Sequence, residues 1–344
     1  MTISVVLVCH GRLGIEAVAV GMLFGNFVHV VVLAVALSSH NFRYRWVLQP
    51  FDPRFREIVG SFRYPLVGHV FSESGMILQN VLGSFLGSGN LTIIRYASRI
   101  VQAIAGVLLG SVVRVAFPLM ATHAAANDLR AQRTTLLESI RVLTLVGLPI
   151  CVWLILSAQP LTVLLFERGQ FSRADAVLTG VLIKFMVPDI LLGRLVSIMQ
   201  TLFNANMDLR TPLISTLIFA FAQTILAVTL VGALGVLGLP IAVSLASLSS
   251  AVYMLVKVHG RFAPVGWNTI RSFLVRLAAT CAIGAVGFVV GSELATLTTV
   301  SYSVAKILDL AMPSAFGLCL FIVGAFSFRL IDLRLMPPPR RRAS

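Results

Sequence analysis

Apolar residues occur in nine long runs along the chain, with polar residues collected in short clusters between them. The runs extend approximately over Ile15 to Leu37, Tyr64 to Leu86, Thr92 to Met120, Ser139 to Leu156, Ala174 to Phe203, Pro212 to Val231, Leu234 to Val256, Ser272 to Val290 and Val304 to Phe326. At a rise of about 1.5 Å per residue, a helix of this length crosses a hydrocarbon layer roughly 30 Å thick. Gly and Pro recur within the runs, which marks bundle helices whose freed backbone groups are satisfied by neighbours. Met1 to Cys9 is too short to span, and its lack of Lys and Arg argues against a signal peptide.

Composition narrows the class. Of 344 residues, 58% are hydrophobic and 12% charged, against about 25% charged in soluble domains. A soluble fold has too little interior for this apolar surface, so the prediction is an all-α polytopic membrane protein with about nine transmembrane helices.

The net charge of +14 is distributed unevenly. One set of alternate loops and the C-terminal tail hold eighteen Lys and Arg residues, among them Arg54, Arg63, Arg130, Arg210, Lys257 and Arg271. The other set holds three: Arg12, Arg168 and Arg173. Because basic loops stay in the cytoplasm, the loops after the first, third, fifth and seventh runs and the C-terminus are expected there. Trp46 and Trp267 fall in connections, where indoles favour the interface. The arginines flank spans instead of forming one stripe, so anionic headgroups explain them better than nucleic acid.

Three regions are expected: residues 1–60, one span and a basic, aromatic, interfacial linker; residues 61–260, six closely connected spans; and residues 261–344, two further spans and a basic tail. Cys9, Cys151, Cys281 and Cys319 lie in apolar segments without metal-ligand spacing and read as packing residues. There is no GxSxG, P-loop, HExxH or dense carboxylate cluster, so neither side-chain catalysis, a metal nor a cofactor is expected.

Polar residues inside the runs are the candidates for function. His69 and Glu73 are four apart and share a helix face, with Gln79 and Asn80 about two turns further. Such a stripe could line an aqueous cavity or serve only as an interhelical hydrogen-bond network. Arg95 and Arg99 are also four apart, with Thr92 three before and Gln102 three after. A guanidinium at membrane depth costs from roughly 3 to above 10 kcal/mol unless it faces protein, water or a ligand. Arg95 is expected to snorkel to the interface. Arg99, a turn further in, suits a phosphate or pyrophosphate held through bidentate hydrogen bonds. Asp189 and Arg194 read as a structural pair, with each other or across helices; Arg114 reads as cavity-lining or paired.

With these residues in view, the chain resembles the MurJ/MviN family of lipid-linked peptidoglycan-precursor flippases, within the multidrug/oligosaccharidyl-lipid/polysaccharide exporter superfamily. Ser84-Phe85-Leu86 with Gly89, then Tyr96-Ala97-Ser98-Arg99, Gly106 and Pro118, is similar to the family's "SFLxxG…YAxR…G…P" stretch. Phe166 to Ser172 resembles its "FERGxF[ST]" loop, and Asp208 to Pro212 its "DxRTP" turn.

The resemblance implies one six-helix lobe of a two-lobed transporter, plus flanking helices, around a cationic cavity with alternating access. It implies that Arg99 binds the pyrophosphate of an undecaprenyl-linked saccharide, with Thr92 and Gln102 beside it; Arg95 on the same face and Glu73 and Asn80 as cavity-wall residues are further candidates from the residues themselves. The last two runs would shape a groove for the lipid tail. Here Ser98 replaces the family's Asp, Val113-Arg114 replaces a Gly-Thr pair, and Arg95 stands where an apolar or aromatic residue is usual. The early helices of the first lobe have no counterpart in this sequence, so a truncated flippase is expected, completed by a missing first lobe or partner subunit. The expected location is the bacterial inner membrane. The alternatives are a polysaccharide or drug exporter with Glu73 as the proton-coupling carboxylate, or a non-transporting remnant or scaffold.

Overall fold

The computed structural model describes residues 16–39, 52–87, 89–167, 169, 171–262, 267–296 and 302–328. Met1 to Cys9, Arg12, residues 40–51 of the basic linker with Trp46, Arg168, Gln170 and the Pro337-Pro338-Pro339 tail lie outside them.

The helices are α1 (Glu16–Ser39), α2 (Pro53–Phe85), α3 (Asn90–Ile104), α4 (Gly110–Ala125), α5 (Leu129–Phe166), α6 (Arg173–Ala205), α7 (Arg210–Leu234), α8 (Gly238–Phe262), α9 (Trp267–Thr296) and α10 (Tyr302–Ser327). A π-turn, Ala105–Leu109, joins α3 to α4 without a break, and a 3-10 turn, Gly235–Leu237, joins α7 to α8. Each predicted run therefore lies on a helix. Among the described residues, seven stretches are long and apolar enough to cross a membrane, and one of them, Arg210–Phe262, contains both α7 and α8. Helix α2 is not among the seven, because His69, Ser72, Glu73, Ser74, Gln79 and Asn80 dilute its apolar run.

The chain divides into two units, Met1–Gly60 and Ser61–Ser344. In the first, α1 is apolar almost all round, with Leu23, Phe27, Val30 and Val32 exposed. In the second, α6 is the central helix and packs on α3, α4, α5 and α8, while α7 pairs with α8 and the α9–α10 hairpin leans on α5. Leu109, Leu143, Leu154, Leu182, Ile198 and Phe203 fill the core. Cys151 and Cys281 are buried and Cys319 is exposed, all three as free thiols.

Two turns fix the ends of the central helices. In Phe166 to Ser172, Gly169 takes φ 58° and Ser172 caps α6 in a reciprocal box, its Oγ accepting from the Asp175 amide while Asp175 Oδ2 accepts from the Ser172 amide. At the opposite end, Asp208 Oδ1 accepts from the amides of Arg210 and Thr211, both at 3.2 Å. Its Oδ2 accepts from the Thr211 hydroxyl at 2.9 Å and from Arg261 Nη1 at 2.6 Å. Partial burial pushes the Asp208 carboxyl up, but the Thr211 and backbone hydrogen bonds and the Arg261 charge outweigh it and hold it below the usual carboxylate range.

Several polar side chains inside the bundle find partners across helices. Ser215 pairs with Ser250 at 2.7 Å, Thr162 donates to the Ala176 carbonyl at 2.7 Å, and Ser244 donates to the Phe185 carbonyl at 2.6 Å. Asp189 accepts from the Ser247 hydroxyl of α8 and forms no ion pair with Arg194. Residues five apart on a helix point about 140° away from each other, so the carboxylate turns to the neighbouring helix.

Close approach of α9 to α10 depends on glycine. A Cβ at Gly291 would stand 2.7 Å from Pro313 Cα, and one at Gly287 would stand 2.9 Å from the Phe316 carbonyl oxygen. Gly291→Val should therefore cost about 1–3 kcal/mol by overpacking, read as a lowered melting temperature in detergent, whereas Gly232→Ala, with open space around it, should melt like the parent chain. Asp208→Ala should cost about 0.5–2 kcal/mol at neutral pH through the lost cap. Because the folded carboxyl titrates below its unfolded value, this stabilisation is present above about pH 4 and fades as the pH falls through the folded value, so the gap between the two melting curves should close in acid.

Candidate functional site

Helix α3 is more amphipathic than any other described helix. Ile93, Ile94, Ala97 and Val101 are buried against the bundle, at spacings of one, three and four. Thr92, Arg95, Arg99 and Gln102 fall on the other face and are all exposed. Gly89, with φ 92°, allows the sharp entry into this helix.

The side chains of Arg99, Thr92 and Gln102 make no hydrogen bond or ion pair with any described residue. Ser98 donates to Met186 Sδ at 3.9 Å and is thus turned into the bundle. Arg95 Nη2 donates to Asn80 Oδ1 of α2 at 3.4 Å, a long contact that ties the wall of α2 to the cationic face. Two guanidinium groups one turn apart, without a carboxylate within 4 Å among the described residues, form a strip of positive charge.

Asn80 joins this strip, but Glu73 does not touch it. Glu73 Oε1 lies 4.0 Å from His69 Nδ1 on its own helix, the two sharing an exposed face. Seven residues separate it from Asn80, about 10 Å along the axis. Arg114 is exposed on α4 beyond the π-turn and has no described ion-pair partner.

Tyr96 fixes the level of Arg95 and Arg99. Its ring stacks on Phe166 with centroids 4.7 Å apart and meets Phe171 edge-on at 5.6 Å, so the Tyr96-Ala97-Ser98-Arg99 motif is clamped to the α5–α6 loop. The next residue of that loop, Glu167, pairs with Lys306 of α10 at 2.8 Å in a largely buried position. Neither contact is visible as local spacing, because the partners lie far apart in the chain.

A second feature is an apolar pocket of about 370 Å³ between α5, α9 and α10, lined by residues including Pro149, Trp153, Leu156, Phe288, Gly317 and Phe321. Trp153 Nε1 donates to Ser314 Oγ at 2.9 Å across it. Among the described residues no group of three or more His, Cys, Asp or Glu is placed to hold a metal ion.

Comparison with known proteins bears on the family and the fold. The profile of the family described as "Lipid II flippase MurJ" matches residues 1–308. Among similar curated proteins, each named probable lipid II flippase MurJ, that of Rickettsia prowazekii is 22% identical over 67% of this chain and 45% of its own length. That of Bdellovibrio bacteriovorus is 22% identical over 81% and 52%, and that of Helicobacter pylori strain J99 is 28% identical over 63% and 47%. The chain thus spans about half the length of the curated relatives it matches. A solved structure of lipid II flippase MurJ in an inward closed conformation has the same fold, with a TM-score of 0.71 and 19% identity over 95% of this chain and 66% of that one. The apolar helices, the motif-bearing turns and the profile match over most of the sequence lead to one conclusion: this chain is a multi-pass membrane protein that belongs to the MurJ family.

Proposed function

We propose that this chain takes part in moving an undecaprenyl-pyrophosphate-linked peptidoglycan precursor from the inner to the outer leaflet of the bacterial inner membrane, with its C-terminus cytoplasmic. The observation that carries this reading is the exposed pair Arg95 and Arg99 on the polar face of a helix within an apolar span. Arg99 binds the pyrophosphate through its guanidinium fork, Thr92 and Gln102 hydrogen-bond beside it, and Arg95, steadied by Asn80, adds a second positive charge. Glu73 lines the same wall further along α2.

The pocket between α5, α9 and α10 accepts part of the polyprenyl tail. The opposing wall of the cavity is supplied from outside the described residues, by a further lobe or a partner subunit. No covalent bond changes in such a cycle, and rocking of helix bundles carries the site across the membrane.

Binding to the purified chain tests this reading. Undecaprenyl pyrophosphate should bind more tightly than undecaprenol, and Arg99→Ala should weaken its binding by about 1.5–3 kcal/mol, roughly tenfold to a hundredfold, the usual range for a charge-assisted hydrogen bond. Glu73→Gln should leave that affinity within about twofold. Equal affinity of the parent chain and Arg99→Ala would overturn the assignment. Loss of binding with Glu73→Gln alone would favour the exporter reading with a coupling carboxylate.

A further inference from the structure

At the end of the bundle where α6 gives way to α7, a second group of cations converges on one neutral atom. The hydroxyl of Tyr64 accepts hydrogen bonds from Arg63 Nη2 at 2.8 Å and Arg210 Nε at 3.0 Å. The guanidinium carbons lie 4.8 and 5.9 Å from its ring centroid. Sharing one oxygen keeps the two donor nitrogens within about 6 Å of each other, and like charges at this range repel unless an anion lies between them.

No carboxylate does so. Among the described residues neither Arg63 nor Arg210 has an ion-pair partner within 4 Å. Asp208, the carboxylate of this turn, is occupied by the amides of Arg210 and Thr211, the Thr211 hydroxyl and Arg261. Those bonds also cap the start of α7, so the charge excess resides on the two guanidinium groups and not on the helix end.

Beside Tyr64 opens a pocket of about 320 Å³ that mixes polar His69, Ser72, Asn204 and Thr216 with apolar Pro65 and Leu213. This is the surface needed by a phosphodiester carrying a small hydroxylated headgroup: two forked donors for the phosphate, neutral donors and acceptors for the alcohol, and an apolar edge towards the acyl chains. It lies at the end of the bundle that also holds Arg130, Arg261 and the α6–α7 turn, where anionic lipid headgroups meet basic residues. We propose that Arg63, Tyr64 and Arg210 form a binding site for the phosphate of an anionic phospholipid, with its headgroup in the Tyr64 pocket. This site is separate from the Arg95 and Arg99 face and does not depend on the function assigned to it.

The test uses the full chain in phosphatidylcholine nanodiscs titrated with short-chain phosphatidylglycerol, read by native mass spectrometry of retained lipid. Phosphatidylglycerol should bind the parent chain, and Arg63→Gln with Arg210→Gln should weaken it at least about tenfold, while Arg276→Gln, an exposed arginine on α9, should leave it unchanged. Melting curves in phosphatidylcholine report whether each variant is folded. Should the double variant not fold, Arg63→Gln alone, at an exposed side chain, should still weaken binding about threefold or more. Unchanged phosphatidylglycerol affinity in the folded variants would overturn the site. Displacement of phosphatidylglycerol by inorganic phosphate at equal concentration would overturn its assignment to a lipid.

Discussion

A hydrocarbon solvent offers no hydrogen bonds, so each polar group carried into a membrane must be answered by protein, by water or by a ligand. The second unit of this chain is organised around that constraint. Ser215 answers Ser250, Thr162 answers a carbonyl of α6, and Asp189 is met by Ser247. Where helix ends emerge, Asp208 and Ser172 supply the missing caps. Arg99 with Thr92 and Gln102 departs from this pattern, since no described residue answers them, and this open cationic face is the feature on which the proposed function rests.

The surroundings of that face explain how it can be both open and held in place. Ile93, Ile94, Ala97 and Val101 seat α3 against the bundle, and Tyr96 locks its height through Phe166 and Phe171. From there the Glu167–Lys306 pair reaches α10, one wall of the apolar pocket. The cationic strip and the pocket are therefore linked by two adjacent residues at the end of α5, Phe166 and Glu167. The motifs that point to the family are, in physical terms, the parts of this link and the caps that brace it.

Much of this was legible in the sequence, because run length and helical spacing are local properties. The helices, the shared face of Thr92, Arg95, Arg99 and Gln102, and the shared face of His69 and Glu73 all follow from spacings of three and four. What spacing hides is contact over distance: nothing local shows that Tyr96 meets Phe166, or that Lys306 meets Glu167. The run Tyr64 to Leu86 reads as a span with a polar stripe, and that stripe keeps α2 out of the seven more apolar stretches. The π-turn at Ala105–Leu109 also has no periodic signature, since one widened turn changes the phase of the faces without changing the residue types.

The proposed function requires that the α3 face open to water and receive a lipid pyrophosphate. It is tested most directly by placing Cys at position 102, through Gln102→Cys, in a chain whose own cysteines are replaced by alanine, and measuring its labelling by a water-soluble maleimide. The expected result is labelling that undecaprenyl pyrophosphate slows and undecaprenol does not. A thiol that stays unlabelled, or one whose labelling the pyrophosphate leaves unchanged, would contradict it.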